Sequence, residues 1–162
     1  MPSLFMLCGG IIREASNSDL EEIVEIERRC FARNIAYSKR QLKYLLTKAN
    51  SDCLTMNIAE SLKGFILVLY KRGSRVAGIE TIDVDPNFQG KGIGTSLLEA
   101  AEENMKSNGI EKIILEVSVG NHLAIKFYER AGFRKATILK DYYFYEHHGS
   151  RDAYRMVKDL TT

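Results

Sequence analysis

Apolar positions recur at helical spacing twice in the first third of the chain. Ser18-Asp19-Leu20-Glu21 has the form of a capping box. Leu20, Ile23, Val24, Glu27 and Phe31 follow on one face, apolar except for the glutamate. Ser38-Lys39-Arg40-Gln41 is a second box. Behind it Leu42, Leu45, Leu46 and Ala49 form the stripe of an amphipathic helix. The period then changes. Cys53–Glu60 and Gly64–Lys71 are β-rich, with a turn expected at 61–63, and Lys71-Arg72-Gly73-Ser74 is a second turn before Val76–Val84. Connections this short predict an antiparallel meander. Ile93, Leu97, Leu98, Ala101 and Met105 mark the buried face of a third helix, which Asn108-Gly109 stops. Lys112–Ser118 is β-rich again, so strand, helix and strand predict a parallel, right-handed crossover. A fourth helix starts at Gly120 or Asn121, buries Ala124, Phe127, Tyr128 and Ala131, and ends at Gly132. Phe133 to about Tyr143 and Arg151–Lys158 predict a closing antiparallel pair. A first strand is expected near Ile11–Ala15, after an irregular segment over 1–10. The expected class is therefore α/β (α+β): one domain over 1–162 whose mixed, mostly antiparallel sheet has about six to seven strands, with helices on both faces.

Composition agrees with that picture and narrows the partners. With 162 residues and 45% apolar content, the chain can bury a core as one globular domain. A net charge of +2 gives no reason to expect a nucleic-acid partner. Cys8, Cys30 and Cys53 share no metal-ligand or redox spacing and read as buried or partly buried thiols in a reducing compartment. Leu4–Cys8 is too short for a membrane span and lacks the basic flank of a signal peptide, so a cytoplasmic protein without a membrane partner is expected. His147-His148 stands in a polar loop without an accompanying ligand set, which reads as solvent exposure rather than metal binding.

The densest chemical signal is Val84-Asp85-Pro86-Asn87-Phe88-Gln89-Gly90-Lys91-Gly92-Ile93-Gly94, a glycine-rich turn from a strand into a helix. Such a turn brings free amides and the positive end of a helix dipole to one place, which suits phosphate. A Walker loop requires Ser or Thr after its Lys, and here Gly92 follows Lys91. A dinucleotide fingerprint requires Gly-x-Gly-x-x-Gly, and the run here is Gly-x-Gly-x-Gly. On spacing alone, a tight turn that binds nothing fits equally well.

Gln89 to Gly94 after Val-Asp-Pro resembles the acyl-CoA pyrophosphate loop of the GNAT acetyltransferases. Leu115-Glu116-Val117 with Asn121, Ala124, Tyr128-Glu129 and Ala131-Gly132-Phe133 resembles the C-terminal half of that family, in particular its RimI-like branch. That branch acetylates protein N-termini. Asp141-Tyr142-Tyr143, with Gly149 and Asp152-Ala153, is similar to its tyrosine-pair hairpin. The chain departs from the pattern at Ser118, where arginine is frequent, and at Phe144, where proline is usual. Residues 31–37 also lack the glutamate of the eukaryotic-type subunits.

The resemblance implies acetyl-CoA as cofactor, CoA as product, and a protein or peptide N-terminus as acceptor. It allows association with the ribosome or an auxiliary subunit. The amides of Gly90 to Thr95, through Lys91, Gly92, Ile93 and Gly94, would hold the pyrophosphate, with Gln89 in the same motif. If the strand of Ile82, Asp83 and Val84 splays from its parallel neighbour, its backbone would pair with the pantetheine arm. Asn121 would bond that arm as well, or simply cap its helix. Glu116 is the implied base, against the plain reading of a strand glutamate in an ion pair. Tyr128 is the implied acid, against core packing. Phe31 and Tyr37 on the lip between the first helices, with Tyr142 and Tyr143, would contact the acceptor. Strand alternation would send the two hairpin tyrosines to opposite faces. Two other functions fit the residues: acetylation of a lysine side chain or small amine, and an acyl-CoA-binding module that has lost catalysis.

Overall fold

The computed structural model describes residues 6–7 and 9–161. Cys8 and most of the expected irregular N-terminal segment lie outside them. Twelve elements follow in order: β1 Met6–Leu7, β2 Gly10–Glu14, α1 Leu20–Cys30, α2 Lys39–Thr47, β3 Ser51–Ile58, β4 Ser61–Tyr70, β5 Val76–Val84, α3 Ile93–Ser107, β6 Lys112–Ser118, α4 His122–Arg130, β7 Arg134–Leu139 and β8 Ala153–Asp159. The strands form one sheet in the order β1-β2-β3-β4-β5-β6-β8-β7. Every pair is antiparallel except β5–β6. The mixed, mostly antiparallel sheet with helices on both faces is thus the expected one, and the two-residue β1 brings it to eight strands. Among the described residues no helix is long and apolar enough to cross a membrane.

Two cores hold the layers. On one face α3 and α4 bury Ile93, Leu97, Leu98, Met105 and Ile125 against Ile66, Val68, Ile113 and Leu115. On the other, Ile23, Ile26 and Leu42 of α1 and α2 cover Phe65 and Leu67. The Ser38–Gln41 capping box forms as expected, with Gln41 N–H donating to Ser38 Oγ and Ser38 N–H to Gln41 Oε1.

Three boundaries differ from expectation for physical reasons. The β3–β4 turn is Ala59-Glu60, not 61–63. Both residues take left-handed φ of 50° and 65°, which suits a two-residue hairpin, but Ala-Glu carries none of the usual Asn-Gly signal. Strand β7 stops at Leu139, because Asp141 turns left-handed and carries Tyr142 and Tyr143 out of the sheet. The first capping box is shifted: the Asp19 carboxylate accepts from Ser16 N–H at 2.8 Å and holds Arg13 by two bonds of 2.7 and 2.8 Å. The buried Asp19 therefore ties the end of β2 to the start of α1.

The Arg13 guanidinium holds the Asp19 carboxyl below the ordinary carboxylate range, with Ser16 assisting against burial. A group lowered in the folded state stabilises above its unfolded pKa, and the contribution fades as pH falls through the folded value. Asp19→Asn should therefore lower the urea midpoint at neutral pH, and the deficit should narrow on acidification below about pH 4. Urea titrations at several pH values check both the sign and the trend.

Candidate active site

Strands β5 and β6 pair only through Val76–Gly78 and Lys112–Ile114. Beyond that they share no ladder, which meets the condition on which a backbone role for Ile82–Val84 depends. A register shift against β4 leaves Glu80 as an extra residue in β5, which bends the strand. After the bulge Thr81 and Asp83 stand opposite Leu67 and Phe65 of the α1–α2 core, while Ile82 and Val84 pack with the α3–α4 core. The gap between the strands opens into a cavity of about 370 Å³ lined by Ile82, Glu116, Asn121, Tyr128, Phe31, Tyr37, Tyr142 and Tyr143, among others. Eight of the residues expected in a site thus share one space.

The glycine loop lies at the other end of Ile82–Val84. Gly90 and Gly92 have φ of +77° and +83°, and a Cβ at either would meet nothing within 4 Å. Their requirement is conformational, with open space outside. Gly94 is different: a Cβ there would touch the Phe127 ring at 3.5 Å. Gly92 starts α3 without a side-chain cap, and the first helical bond is Ser96 N–H to Gly92 O. The amides of Ile93, Gly94 and Thr95 therefore have no acceptor within α3, at the positive end of a fifteen-residue helix. Lys91 and Lys63 both stand over the Phe88 ring beside them. Gln89 uses its side chain on the loop itself, donating to Val84 O at 3.1 Å. Cys30 Sγ–H donates to the same carbonyl at 3.3 Å, so Val84 O is already occupied.

Glu116 points into the cavity and is ion-paired. Arg155, its partner across the β6–β8 ladder, donates to Oε1 from Nε at 3.1 Å and from Nη2 at 2.9 Å. Tyr128 sits edge-on to Phe127 and Phe133, with centroids 5.2 and 5.5 Å away. Burial pushes its phenol above the ordinary value, so it stays protonated. Asn121 does cap α4, accepting from Ala124 N–H at 3.2 Å, and also lines the cavity.

The acceptor side is built by two loops. Tyr37 of the lip donates its hydroxyl to Glu80. The β7–β8 loop brings both Tyr142 and Tyr143 to the cavity, against the alternation expected of a strand, because they lie outside one. His147 and His148 line the cavity too. The expected solvent exposure holds for His148, while His147 is half-buried and stacked on Tyr143 at 3.8 Å. Burial and the neighbouring His148 lower its pKa. The loop is pinned where Ser118 Oγ donates to His147 O and where His148 O passes so near Gly120 that a Cβ would stand 2.1 Å from it. Among the described residues no group of three or more His, Cys, Asp or Glu side chains could hold a metal.

One pair escaped sequence reasoning. Glu27 and Asp83, each 1% exposed, meet between α1 and β5. Burial pushes both carboxyls up, and the charge of Asp83 adds to the rise at Glu27. The one signal was a glutamate on an otherwise apolar helical face. Nearby, Arg29 holds Asp85 at 2.8 Å and Cys30 reaches Val84, so the end of α1 is fastened to the end of β5 and the residue after it.

A profile of the acetyltransferase (GNAT) family matches residues 20–133. The chain belongs to this family. It is 30% identical to an N-alpha-acetyltransferase of Saccharolobus solfataricus, over 92% of each chain. Among solved structures, the ribosomal-protein-S18-alanine N-acetyltransferase of Escherichia coli is similar at a TM-score of 0.84 and 26% identity, covering 94% of this chain and 95% of that one. Ard1 of Thermoplasma volcanium is similar at 0.80 and 27%, covering 95% and 99%. In this GNAT acetyltransferase the contact at Gly120 should be intolerant of any side chain. Gly120→Ala should cost about 1–3 kcal/mol, the usual range for overpacking, and free the 141–150 loop. Thermal melts and limited proteolysis measure the two effects.

Proposed function

We propose that this enzyme is an N-terminal protein acetyltransferase, moving the acetyl group of acetyl-CoA to the α-amino group of a protein or peptide by direct attack in a ternary complex. The observation that carries this reading is the single cavity at the β5–β6 splay. The pantetheine-side residues Ile82 and Asn121 and the acceptor-side residues Phe31, Tyr37, Tyr142 and Tyr143 line the same space, with Glu116 and Tyr128 between them. The names of the relatives, at modest identity, point the same way. In this reading the cytoplasm is the setting, and a ribosome or auxiliary subunit is an additional partner.

The chain's residues divide the work. The amides of Ile93, Gly94 and Thr95 and the Lys91 charge hold the pyrophosphate. The free backbone near Ile82 and the Asn121 amide orient the pantetheine arm. Val84 contributes less than the sequence suggests, since its carbonyl is taken by Cys30 and Gln89. Glu116 receives a proton from the acceptor, whose α-ammonium must become neutral to attack. Arg155 grips only Oε1 of that carboxylate, leaving Oε2 for the acceptor. Tyr128, still protonated, donates to the departing thiolate.

Incubation with acetyl-CoA and a peptide mixture, read by mass spectrometry, should show α-amine acetylation. Acetylation of ε-amines only would favour the lysine or small-amine acceptor, and none at all would favour the binding module. Gly92→Val should lower CoA affinity at least tenfold by calorimetry, since the new side chain enters the open space before the α3 amides and opposes the left-handed φ. Wild-type affinity in the folded variant would remove the phosphate reading.

Glu116→Gln should lower kcat by ~10²-fold or more at neutral pH, and the deficit should shrink toward alkaline pH as the amine loses its proton unaided. Tyr128→Phe should lower kcat without that recovery. The two pH–rate profiles distinguish base from acid, and near-normal kcat in Glu116→Gln would return Glu116 to a purely structural ion pair.

A further inference from the structure

The three glutamates at the cavity wall carry their charge differently. Glu116 is compensated by Arg155. Glu80 is exposed and accepts from Tyr37. Glu27 is buried to 1% exposure with Asp83 behind it, and neither is in an ion pair among the described residues. Glu27 Oε2 and Asp83 Oδ2 have no hydrogen-bond partner there, although Thr81 donates to Asp83 Oδ1. Two carboxyls in contact in a dry site do not both ionise, so they keep one proton and one negative charge between them. A buried charge without a counter-ion is costly, and an unpartnered oxygen at a cavity wall is where a cation would relieve that cost.

We propose that the Glu27–Asp83 pair is the seat of the acceptor's positive charge: it draws the incoming ammonium into the cavity, where Glu116 takes its proton. This rests on the transfer reaction proposed above and adds the group that selects a cationic acceptor. The Glu116–Arg155 pair cannot supply that attraction, because its net charge is zero. The other groups facing the pair are Cys30 from α1, Cys53 from β3, Glu80 from β5, Tyr37 from the lip and Tyr128 from α4. The two thiols are pushed up to about 12 by burial and the two phenols are also raised, so none of these four titrates below neutral pH. Phe65 and Leu67 of β4, opposite Asp83 and Thr81, add no charge.

The test is calorimetry on the CoA-loaded protein with hexapeptides beginning with alanine or methionine, each compared with its desamino counterpart. At neutral pH the wild type should bind the amine form of at least one about tenfold more tightly, equivalent to about 1.4 kcal/mol. Asp83→Asn should abolish the preference, since Glu27 alone holds its proton. Glu27→Gln should retain it, since the new amide donates to an Asp83 that stays charged. In the wild type the preference should fade on acidification below neutral pH, as the pair takes up its second proton, because burial holds the Asp83 carboxyl above its ordinary range. Equal binding of amine and desamino peptides by the wild type overturns the proposal, as does no measurable binding of either amine form. Retention of the preference in Asp83→Asn, or equal loss in both isosteric variants, does so too. If Asp83→Asn does not fold, the wild-type pH dependence decides alone. Acetylation of the same peptides, run in parallel with acetyl-CoA, tests the reaction separately from its charge selection.

Discussion

Past Gly78 and Ile114, two parallel strands in the middle of the sheet stop sharing hydrogen bonds, and the molecule's chemistry is arranged around that gap. Backbone groups left unpaired inside a protein must find another partner. Here β5 and β6 keep full antiparallel ladders on their outer sides, with β4 and β8, so the gap is held open rather than frayed. The bulge at Glu80 bends β5 away, and the cores on either face fix the bend. A cavity at the splay is the result, walled by the lip and the hairpin, while the glycine loop follows the far end of β5.

Polar contacts join the apolar core in holding α1 and the lip beside this gap. Glu27 and Cys30 of α1 meet Asp83 and Val84 of β5, and Arg29 meets Asp85 just beyond it. An apolar seam would hold α1 at lower electrostatic cost. The seam used instead buries two carboxyls without an ion-pair partner among the described residues, Glu27 at the cavity wall and Asp83 behind it. Such arrangements are expected at sites where function, rather than stability, sets the residue choice.

The far wall follows another logic. The 141–150 loop crosses the β6–α4 junction so closely that only glycine fits at position 120. Ser118, where the chain departs from the RimI-like pattern, is the side chain that anchors it by donating to His147 O. Tyr142, edge-on to Tyr143, and His147, stacked on it, form an aromatic wall from this loop. The loop is therefore part of the site's architecture rather than a free tip.

Much of this was legible in the chain alone, where a signal is local. Helical stripes, the Ser38 box, the Gly90–Gly94 turn and the Asn121 cap depend on neighbours within a few residues, so periodicity and turn chemistry reveal them. The grouping of Glu116 with Tyr128 followed from a family resemblance, and the fold places both at one cavity. What the sequence could not show are contacts made across the sheet. The Ala59-Glu60 turn, the end of β7 at Leu139 and the turn of both tyrosines into the cavity depend on left-handed residues that carry no glycine. Arg155 lies 39 positions from Glu116, and Asp83 lies far along the chain from Glu27. Those pairings exist only once β8 is inserted beside β6 and α1 is laid across β5, because side-chain charge is read by distance in space and not along the chain.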